Sequence, residues 1–244
     1  MHLGLALSLC SQRPTGGAAT FDPATLALTG WWRASYAGTP WVGTASAGTS
    51  GSRNASEATN APAVGTALNG YDTADFEEAD FDYLDTATVG TLFTAAAGSC
   101  AFLIRAESVR ADQAAAYDES AIWLDGSTQT CGLFIAASGV RAGGYNGGWN
   151  YTAYQALATS TWGLAQMRWN GTNLESRVNG GAWQTVACGN LTTSGMVQLG
   201  RNSVNAAGYF DGLMAEVMTA ASRLSDDDFD DIRSYVNARY GLSL

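Results

Sequence analysis

The segment 143–154 combines the residue types that bind carbohydrate. It reads GGYNGGWNYTAY, so its four aromatic residues alternate with asparagine and glycine. Sugar rings stack their C–H faces on exposed aromatic rings, asparagine side chains hydrogen-bond sugar hydroxyls, and a glycine-rich loop is a common carrier of such a site. The candidate glycan-binding residues are Tyr145, Trp149, Tyr151 and Tyr154, with Trp41 as a separate second candidate. The alternative is that Trp149 and Tyr151 only close one end of the fold.

The densest group of carboxylates lies between Asp75 and Asp85. Its members are irregularly spaced and interleaved with aromatic residues, which is typical of a half-exposed strand whose acids face solvent. The alternative is a calcium site that takes Asp80 and Asp82 together with loop carbonyl groups, because calcium prefers hard oxygen ligands. We expect no cofactor, and calcium is the one metal ion for which these residues make a case.

The histidine content excludes most hydrolytic machinery. The only histidine is His2, and residues so close to a terminus are rarely held in place. A Ser–His–Asp or Cys–His site needs a rigidly positioned imidazole, and a histidine-rich zinc site needs several. Any hydrolase built on this chain would have to work with carboxylates alone. We therefore expect a protein that is not an enzyme and has no catalytic residues.

The charge balance excludes two classes of partner. The chain has 12 basic residues, all arginine, against 22 acidic ones, for a net charge of −10. Binding to the nucleic-acid backbone needs a basic footprint, and attraction to anionic lipid needs a polybasic segment. No apolar run approaches the roughly 20 residues that span a bilayer. We expect a soluble, acidic protein with no nucleic-acid or membrane partner.

The cysteines give no evidence of a metal or redox motif. Cys10, Cys100, Cys131 and Cys188 are far apart in the sequence and form no CxxC pair. Four cysteines allow three disulfide connectivities, and the sequence does not choose among them. Because Cys100 and Cys131 each begin an apolar stretch, small buried thiols are the favoured interpretation.

Short apolar runs and tight turns predict an all-β fold. Asn170-Gly171 and Asn179-Gly180 separate three runs, and Asn-Gly favours the hairpin turn in which both central residues have positive φ. These turns predict an antiparallel meander. Further strands are expected at 100–104, 121–124, 131–135, 196–200 and 210–218. The stretch 39–67 is dominated by small and polar residues and is expected to be mostly loop.

One amphipathic helix is predicted at the C-terminus. Ser225 is a suitable N-cap, and Asp228 completes a capping box three residues later. The next apolar residues recur at helical spacing and form one stripe, at Phe229, Ile232, Val236 and Tyr240. Gly241 fits the left-handed C-terminal stop. The stripe must pack on an apolar surface, which we expect to be the outside of the sandwich.

Two tracts resemble a known family. Residues 162–217 are similar to the C-terminal half of laminin-G-like domains, which are concanavalin A-like jelly rolls, through Trp162, Asn170-Gly171, Asn179-Gly180, Leu199-Gly200 and Phe210-Asp211-Gly212-Leu213. The helix that follows matches the closing helix of bacterial and phage members. Weaker matches are Phe21-Asp22-Pro23 with Trp31-Trp32, and Asp80-Phe81-Asp82-Tyr83-Leu84. The resemblance covers residues 21–244 and implies a single jelly-roll sandwich with the helix packed on its outside.

This fold does not determine a function. Concanavalin A-like jelly rolls include lectins, glucanases, lyases and adhesion modules, so the site must be argued separately. The glucanase members carry their carboxylates on a strand as Glu-x-Asp-x-x-Glu, and that spacing is absent here. A retaining glycosidase needs two carboxylates about 5–5.5 Å apart. The resemblance therefore does not alter the expectation of a non-catalytic protein.

An N-terminal arm, residues 1–20, precedes the domain. Leu3, Leu5, Leu7 and Leu9 alternate with small residues, which is the pattern of a strand with one buried face. Such a segment can extend the sheet of a neighbouring molecule, and the alternative is an edge strand of its own sandwich. The arm also resembles the start of tailed-phage virion proteins.

The arm and the sandwich together lead to a functional expectation. We expect a non-enzymatic accessory protein of a phage particle, as a head, neck or tail decoration or fibre component, located in the virion. Its expected partners are phage capsid or tail proteins, other copies of itself and cell-surface polysaccharide. The alternative is a carbohydrate-binding module or adhesin that is not part of a virion.

Overall fold

The structure, a computed structural model, describes residues 21–34, 55–56, 60–86, 92–114, 119–125, 131–191, 197–201 and 208–244. The expectations for the arm leucines (Leu3, Leu5, Leu7, Leu9), for Cys10 and for Trp41 lie outside these residues. Within them, two antiparallel sheets face each other and one helix covers an outer face.

The first sheet has eight strands in the order β13-β12-β11-β6-β15-β4-β3, with β1 also pairing with β15. Their bounds are β1 Leu28–Arg33, β3 Ala63–Leu68, β4 Tyr71–Phe76, β6 Gly98–Ala106, β11 Gly163–Trp169, β12 Asn173–Val178, β13 Gln184–Ala187 and β15 Gly212–Ala220. The second sheet has seven strands in the order β10-β9-β8-β7-β14-β5-β2. These are β2 Ala55–Ser56, β5 Leu84–Thr86, β7 Ser120–Asp125, β8 Cys131–Ala136, β9 Gly139–Tyr145, β10 Trp149–Tyr151 and β14 Val197–Leu199.

The predicted meander is confirmed as β11-β12-β13, which pair antiparallel in succession. At the second turn Asn179 and Gly180 both have positive φ, 54° and 72°, as the Asn-Gly signal requires. At the first turn Gly171 has a positive φ of 75° but Asn170 does not, so the predicted backbone forms there only in part. There the side-chain oxygen of Asn170 accepts hydrogen bonds from the backbone N–H groups of Thr172 and Asn173, at 3.1 and 2.8 Å.

The main core lies between the two sheets and is rich in aromatic rings. Phe93 contacts Trp123 and Trp169, each with ring centroids 5.2 Å apart. Cys100 and Cys131 are buried in the same cluster. Burial raises the pKa of both thiols well above the ordinary value, which makes them unreactive. The three described cysteines are free and buried, as the sequence favoured.

The C-terminal helix packs on the outer face of the first sheet, as predicted. It spans Asp226–Tyr240 (α1), with a capping box between Ser225 and Asp228 and a left-handed Gly241 at its end. Its buried residues are the predicted stripe, Phe229, Ile232, Val236 and Tyr240. These pack against alternate residues of the strands beneath, among them Ala101, Leu103, Leu164 and Met218. No helix of the described residues is long and apolar enough to cross a membrane.

A buried carboxylate joins this helix to the sheet. Glu216 is 2% exposed and accepts hydrogen bonds from the indole N–H of Trp31 and from the hydroxyls of Tyr235, at 3.1 Å, and Tyr240, at 2.7 Å. Desolvation raises the pKa of Glu216, although these donors and the nearby Arg239 oppose the shift. Three neutral donors therefore converge on one buried acid.

One sequence expectation about local structure is tested only in part, and another is wrong. Within the stretch 39–67, predicted to be mostly loop, the described residues include the short β2 and most of β3, while residues 39–54 and 57–59 lie outside the described part of the chain. The carboxylate-rich stretch 75–85, predicted to be one half-exposed strand, is broken after β4. A 3-10 turn at Glu78–Asp80 follows, and Phe81 adopts a left-handed conformation with φ of 59°. The irregular spacing of acids and aromatic residues therefore belongs to a turn that connects β4 of the first sheet with β5 of the second.

Candidate functional site

The predicted glycine-rich loop is a hairpin at the edge of the second sheet. Tyr145 of β9 pairs with Trp149 of β10, and Gly143 pairs with Tyr151, so only residues 146–148 form a turn. Directly paired residues, and residues two apart on a strand, project from the same face of a sheet. Tyr145, Trp149 and Tyr151 therefore share the outer face of this sheet, on the opposite side of the sandwich from α1.

Glycines in β9 let large rings lie close to the backbone. A Cβ atom on Gly143 would lie 2.9 Å from the ring of Tyr151 and 3.1 Å from the ring of Phe134. On the other face, a Cβ atom on Gly144 would lie 2.7 Å from the side chain of Leu191. A side chain at Gly143 would have to displace an aromatic ring, whereas the methyl end of Leu191 could shift to admit one at Gly144. Gly143 and Gly144 are therefore strand residues, and Gly143 makes room for aromatic rings, while Gly147 and Gly148 lie in the turn.

Three side chains form the aromatic patch, which we define as Tyr145, Trp149 and Tyr151. Trp149 and Tyr151 stack with centroids 5.6 Å apart and planes 11° from parallel. Tyr145 meets Trp149 edge to face at 6.0 Å, and Phe134, which lies two strands away in the same sheet, meets Trp149 edge to face at 6.3 Å. Tyr145 is 37% exposed, while Trp149 and Tyr151 are half-buried. The patch thus offers a corner of aromatic surface to solvent.

Tyr154 supports the patch rather than extending it. The guanidinium of Arg141 lies 4.5 Å from the ring centroid of Tyr151 and 4.6 Å from that of Tyr154. It donates two hydrogen bonds to the fully buried carboxylate of Glu119, at 2.8 and 3.1 Å. The Tyr154 hydroxyl also donates to Glu119. Desolvation, together with this hydrogen bond, raises the pKa of Tyr154, so its hydroxyl stays protonated.

Asparagine amides fix the turn beside the patch. The Asn150 side-chain NH₂ donates to the side-chain oxygen of Asn146 and to the carbonyl of Gly148, both at 3.1 Å. The Asn146 NH₂ group donates in turn to the carbonyl of Cys188, which follows β13 of the other sheet. Below the hairpin, the Thr152 hydroxyl accepts from the backbone N–H of Ala142 at 2.9 Å. The turn is therefore tied both to its own strands and to the facing sheet.

Asp80 and Asp82, the candidate calcium ligands, are not brought into a group of three ligating residues in the described part of the chain. Asp80 is exposed, while Asp82 is buried and accepts a hydrogen bond from the backbone N–H of Glu77 at 3.1 Å. The acids that do converge are Asp75, Glu77 and Glu107, with ligand atoms within 4.8 Å of one another. Burial and neighbouring carboxylates raise the pKa of both Asp75 and Glu77. Calcium at Asp80 and Asp82 stays a prediction.

Of the predicted glycan-binding residues, the structure brings together Tyr145, Trp149 and Tyr151 and places Tyr154 beside them through Arg141. Sequence reasoning missed Phe134, Arg141 and Glu119. Phe134 was assigned to a strand but not to the patch. The only available signal for Arg141 was its position just before the glycine pair, and Glu119 is more than twenty residues away from it in the sequence.

Comparison with known proteins identifies the fold. No family model and no curated protein matches the sequence. Domain 4 of AbnA, an extracellular arabinanase from Geobacillus stearothermophilus, was solved in complex with arabinotriose. It matches with a TM-score of 0.64 and 12% identity, over 84% of this chain and 98% of that one.

Two toxin domains match in the same way. The binding domain of Paraclostridial Mosquitocidal Protein 1 has a TM-score of 0.64 and 10% identity, covering 88% of this chain and 54% of that one. The ligand-binding domain of botulinum neurotoxin serotype D, in complex with N-acetylneuraminic acid, has a TM-score of 0.58 and 12% identity, covering 86% and 52%.

The chain therefore spans nearly the whole arabinanase domain and about half of each toxin binding domain. Identities this low show the fold alone. They confirm the predicted fold class, two antiparallel sheets that form a sandwich with one C-terminal helix. The narrower resemblance to concanavalin A-like and laminin-G-like domains stays a prediction.

Proposed function

We propose that this protein is a glycan-binding β-sandwich domain and that the aromatic patch is its binding site. The observation that carries the proposal is the exposed corner formed by Tyr145 and Trp149. When a sugar stacks on these aromatic rings, its apolar C–H surface is removed from water. The arabinanase domain and the neurotoxin domain, which share the fold, were solved with sugars bound, and this supports the proposal.

The patch is also pre-organised. Trp149 is held by a stacking contact with Tyr151 and an edge-to-face contact with Phe134, and the turn is fixed by the Asn146 and Asn150 amides. A binding surface whose side chains are already ordered loses little conformational entropy when a ligand arrives. This arrangement favours a site that binds without rearrangement.

Replacing Trp149 with alanine is expected to weaken glycan binding about 30-fold, which is the effect of losing an aromatic hot spot of about 2 kcal/mol. The measurement is titration calorimetry against oligosaccharides first identified on a glycan array. Phe81→Ala is the matched control, because Phe81 is 49% exposed and lies in the turn between β4 and β5, away from β10 in the strand order. Equal affinities in wild type and Trp149→Ala would refute the site.

We propose further that binding occurs without catalysis. Glu119, the carboxylate that contacts the residues supporting the patch, is fully buried and engaged by Arg141, so a sugar cannot reach it. Incubating the protein with each glycan that it binds should release no reducing ends. Turnover that disappears after a single carboxylate-to-amide substitution would show that the protein is an enzyme.

A narrower proposal is that the glycan-binding domain belongs to a phage virion, with capsid or tail proteins or further copies as partners. It rests on the alternating leucines Leu3, Leu5, Leu7 and Leu9. The comparisons favour the alternative, a carbohydrate-binding module or adhesin outside a virion, because the matched domains come from an arabinanase and from toxins. Deleting residues 1–15 should abolish incorporation into particles and leave glycan affinity unchanged. If the shortened protein is still incorporated into particles, residues 1–15 are not the attachment segment.

A further inference from the structure

Two stretches of the chain at the edge that carries the aromatic patch contain no charged residue. No Asp, Glu, Lys or Arg occurs in residues 142–167 or in residues 178–200, although 14% of the whole chain is charged. These two stretches meet in the fold, because β10 contacts β13 and the carbonyl of Cys188 accepts a hydrogen bond from Asn146. We call them together the uncharged edge. A ligand on the patch therefore meets no formal charge from either stretch.

The nearest ion pair is withdrawn from solvent. Arg141 and Glu119 are paired at 2.8 Å, with side chains 9% and 0% exposed. The guanidinium is shared between this carboxylate, the carbonyl of Gln113 and the rings of Tyr151 and Tyr154. Its charge is neutralised within the protein, so it is not available to bind an anion at the surface.

An exposed charge close to this pair is negative. Asp112 is exposed, and hydrogen bonds from Ser138 lower its pKa, with a smaller contribution from the positive charge of Arg141. Its carboxylate is therefore ionised at neutral pH. The protein as a whole carries a net charge of −10. Both the local and the overall fields repel an anionic ligand.

The Asn150 amide does not offer a ligand on the patch a hydrogen bond. Asn150 lies between Trp149 and Tyr151 in β10, so its side chain projects from the opposite face of the hairpin. There its amide nitrogen donates to Asn146 and Gly148 and lies 3.9 Å from the Cys188 Sγ. A carboxylate or a sulfate on the aromatic rings would lose water without gaining a cationic partner, which is costly.

We propose that the aromatic patch selects neutral oligosaccharides and discriminates against the same sugars when they carry a carboxylate or a sulfate. This inference rests on the proposed glycan-binding function and adds the class of ligand. Because no ion pair forms in the complex, the affinity for a neutral glycan does not depend on ionic strength. Binding of anions through a cationic site would weaken as salt screens the charges.

The test uses pairs of oligosaccharides that differ only in charge. One pair is a galactose-terminated oligosaccharide with and without terminal N-acetylneuraminic acid, and the other is an oligogalacturonate and its methyl ester. Arabinotriose is added as an uncharged probe. Affinities of wild type and Trp149→Ala are measured by calorimetry in about 20 mM and about 500 mM sodium chloride, where screening differs several-fold.

We expect the neutral member of a pair to bind at least about tenfold more tightly, with less than a twofold change between the two salt concentrations and a large loss in Trp149→Ala. Tighter binding of the anionic member, lost in Trp149→Ala, would overturn the selectivity and leave the proposed function intact. Binding of neither member would refute both. Binding that Trp149→Ala leaves unchanged would place the site elsewhere and also refute both.

A designed variant checks the electrostatic cause directly. Gly148 is exposed, and a Cβ atom there would meet nothing within 4 Å, so a long side chain fits without displacing the patch. Gly148→Arg should raise the affinity for the anionic member at low salt and leave that for the neutral member within about twofold. Gly148→Gln is the uncharged control. If Gly148→Arg does not favour the anionic member over Gly148→Gln, charge is not what sets the selectivity.

Discussion

Arg141→Met is expected to lower the free energy of unfolding by about 3–5 kcal/mol, because it leaves the carboxylate of Glu119 buried without its counter-ion. Methionine keeps much of the length that packs beside Tyr151 and Tyr154, so the loss reports the ion pair more than the packing. The measurement is equilibrium urea unfolding followed by tryptophan fluorescence. The same variant should also weaken glycan binding, since Arg141 lies under the ring of Tyr151.

A double-mutant cycle separates the pair from its surroundings. Adding Glu119→Gln to Arg141→Met removes the uncompensated charge and should recover part of the lost stability. Arg105→Met is the matched control, because Arg105 is half-exposed and lies 3.5 Å from the half-exposed Glu107. Such a surface pair contributes about 0–1 kcal/mol. A loss in Arg141→Met no larger than that in Arg105→Met would contradict the anchoring role of the pair.

Glu216→Ala is expected to destabilise the protein by about 3 kcal/mol or more. The substitution leaves the buried indole of Trp31 and the hydroxyls of Tyr235 and Tyr240 without their acceptor, at about 1–3 kcal/mol for each unsatisfied group. Glu78→Ala serves as the control, since Glu78 forms a half-exposed pair with Arg110. Thermal unfolding of the two variants should therefore differ clearly. Equal losses would mean that Glu216 does not hold the helix on the sheet.

The pH dependence of Glu216→Gln gives a second readout. Burial raises the pKa of Glu216 above its ordinary value of 4.5, so the folded state binds this proton more tightly than the unfolded chain. The stability of wild type relative to the non-titrating glutamine variant is therefore greatest below that ordinary pKa. It falls as pH rises through the raised pKa of the folded state. A relative stability that rises with pH would show that the hydrogen-bond donors, rather than desolvation, determine this pKa.

Local signals predicted the meander and the helix because each depends on a few neighbouring residues. The positive φ values of Asn179 and Gly180, and the capping box of Ser225 with Asp228, follow from short-range chemistry that the sequence displays directly. The strand β3 was missed for the opposite reason. It is an edge strand of small residues with Val64 67% exposed, so no alternation of buried and exposed side chains marks it.

The candidate site was half predictable. The aromatic residues could be chosen from composition, but their arrangement required the pairing of Tyr145 with Trp149 and of Gly143 with Tyr151. Glycine usually disfavours strands, and its meaning in β9 depends on a ring from the neighbouring strand. The buried Glu119 was unpredictable because its partner Arg141 is brought to it only by the pairing of β8 with β7 and β9.

A crystal structure of the protein with a neutral oligosaccharide that it binds would show whether the aromatic patch is the binding site. We expect a sugar ring stacked on Trp149, with Tyr145 as the second wall of the site. The side chains of the patch should stay where they are in the free protein, because they are already held. A sugar bound elsewhere, for example on the exposed Phe81 and its neighbour Tyr209, with the aromatic patch left uncovered, would contradict the account.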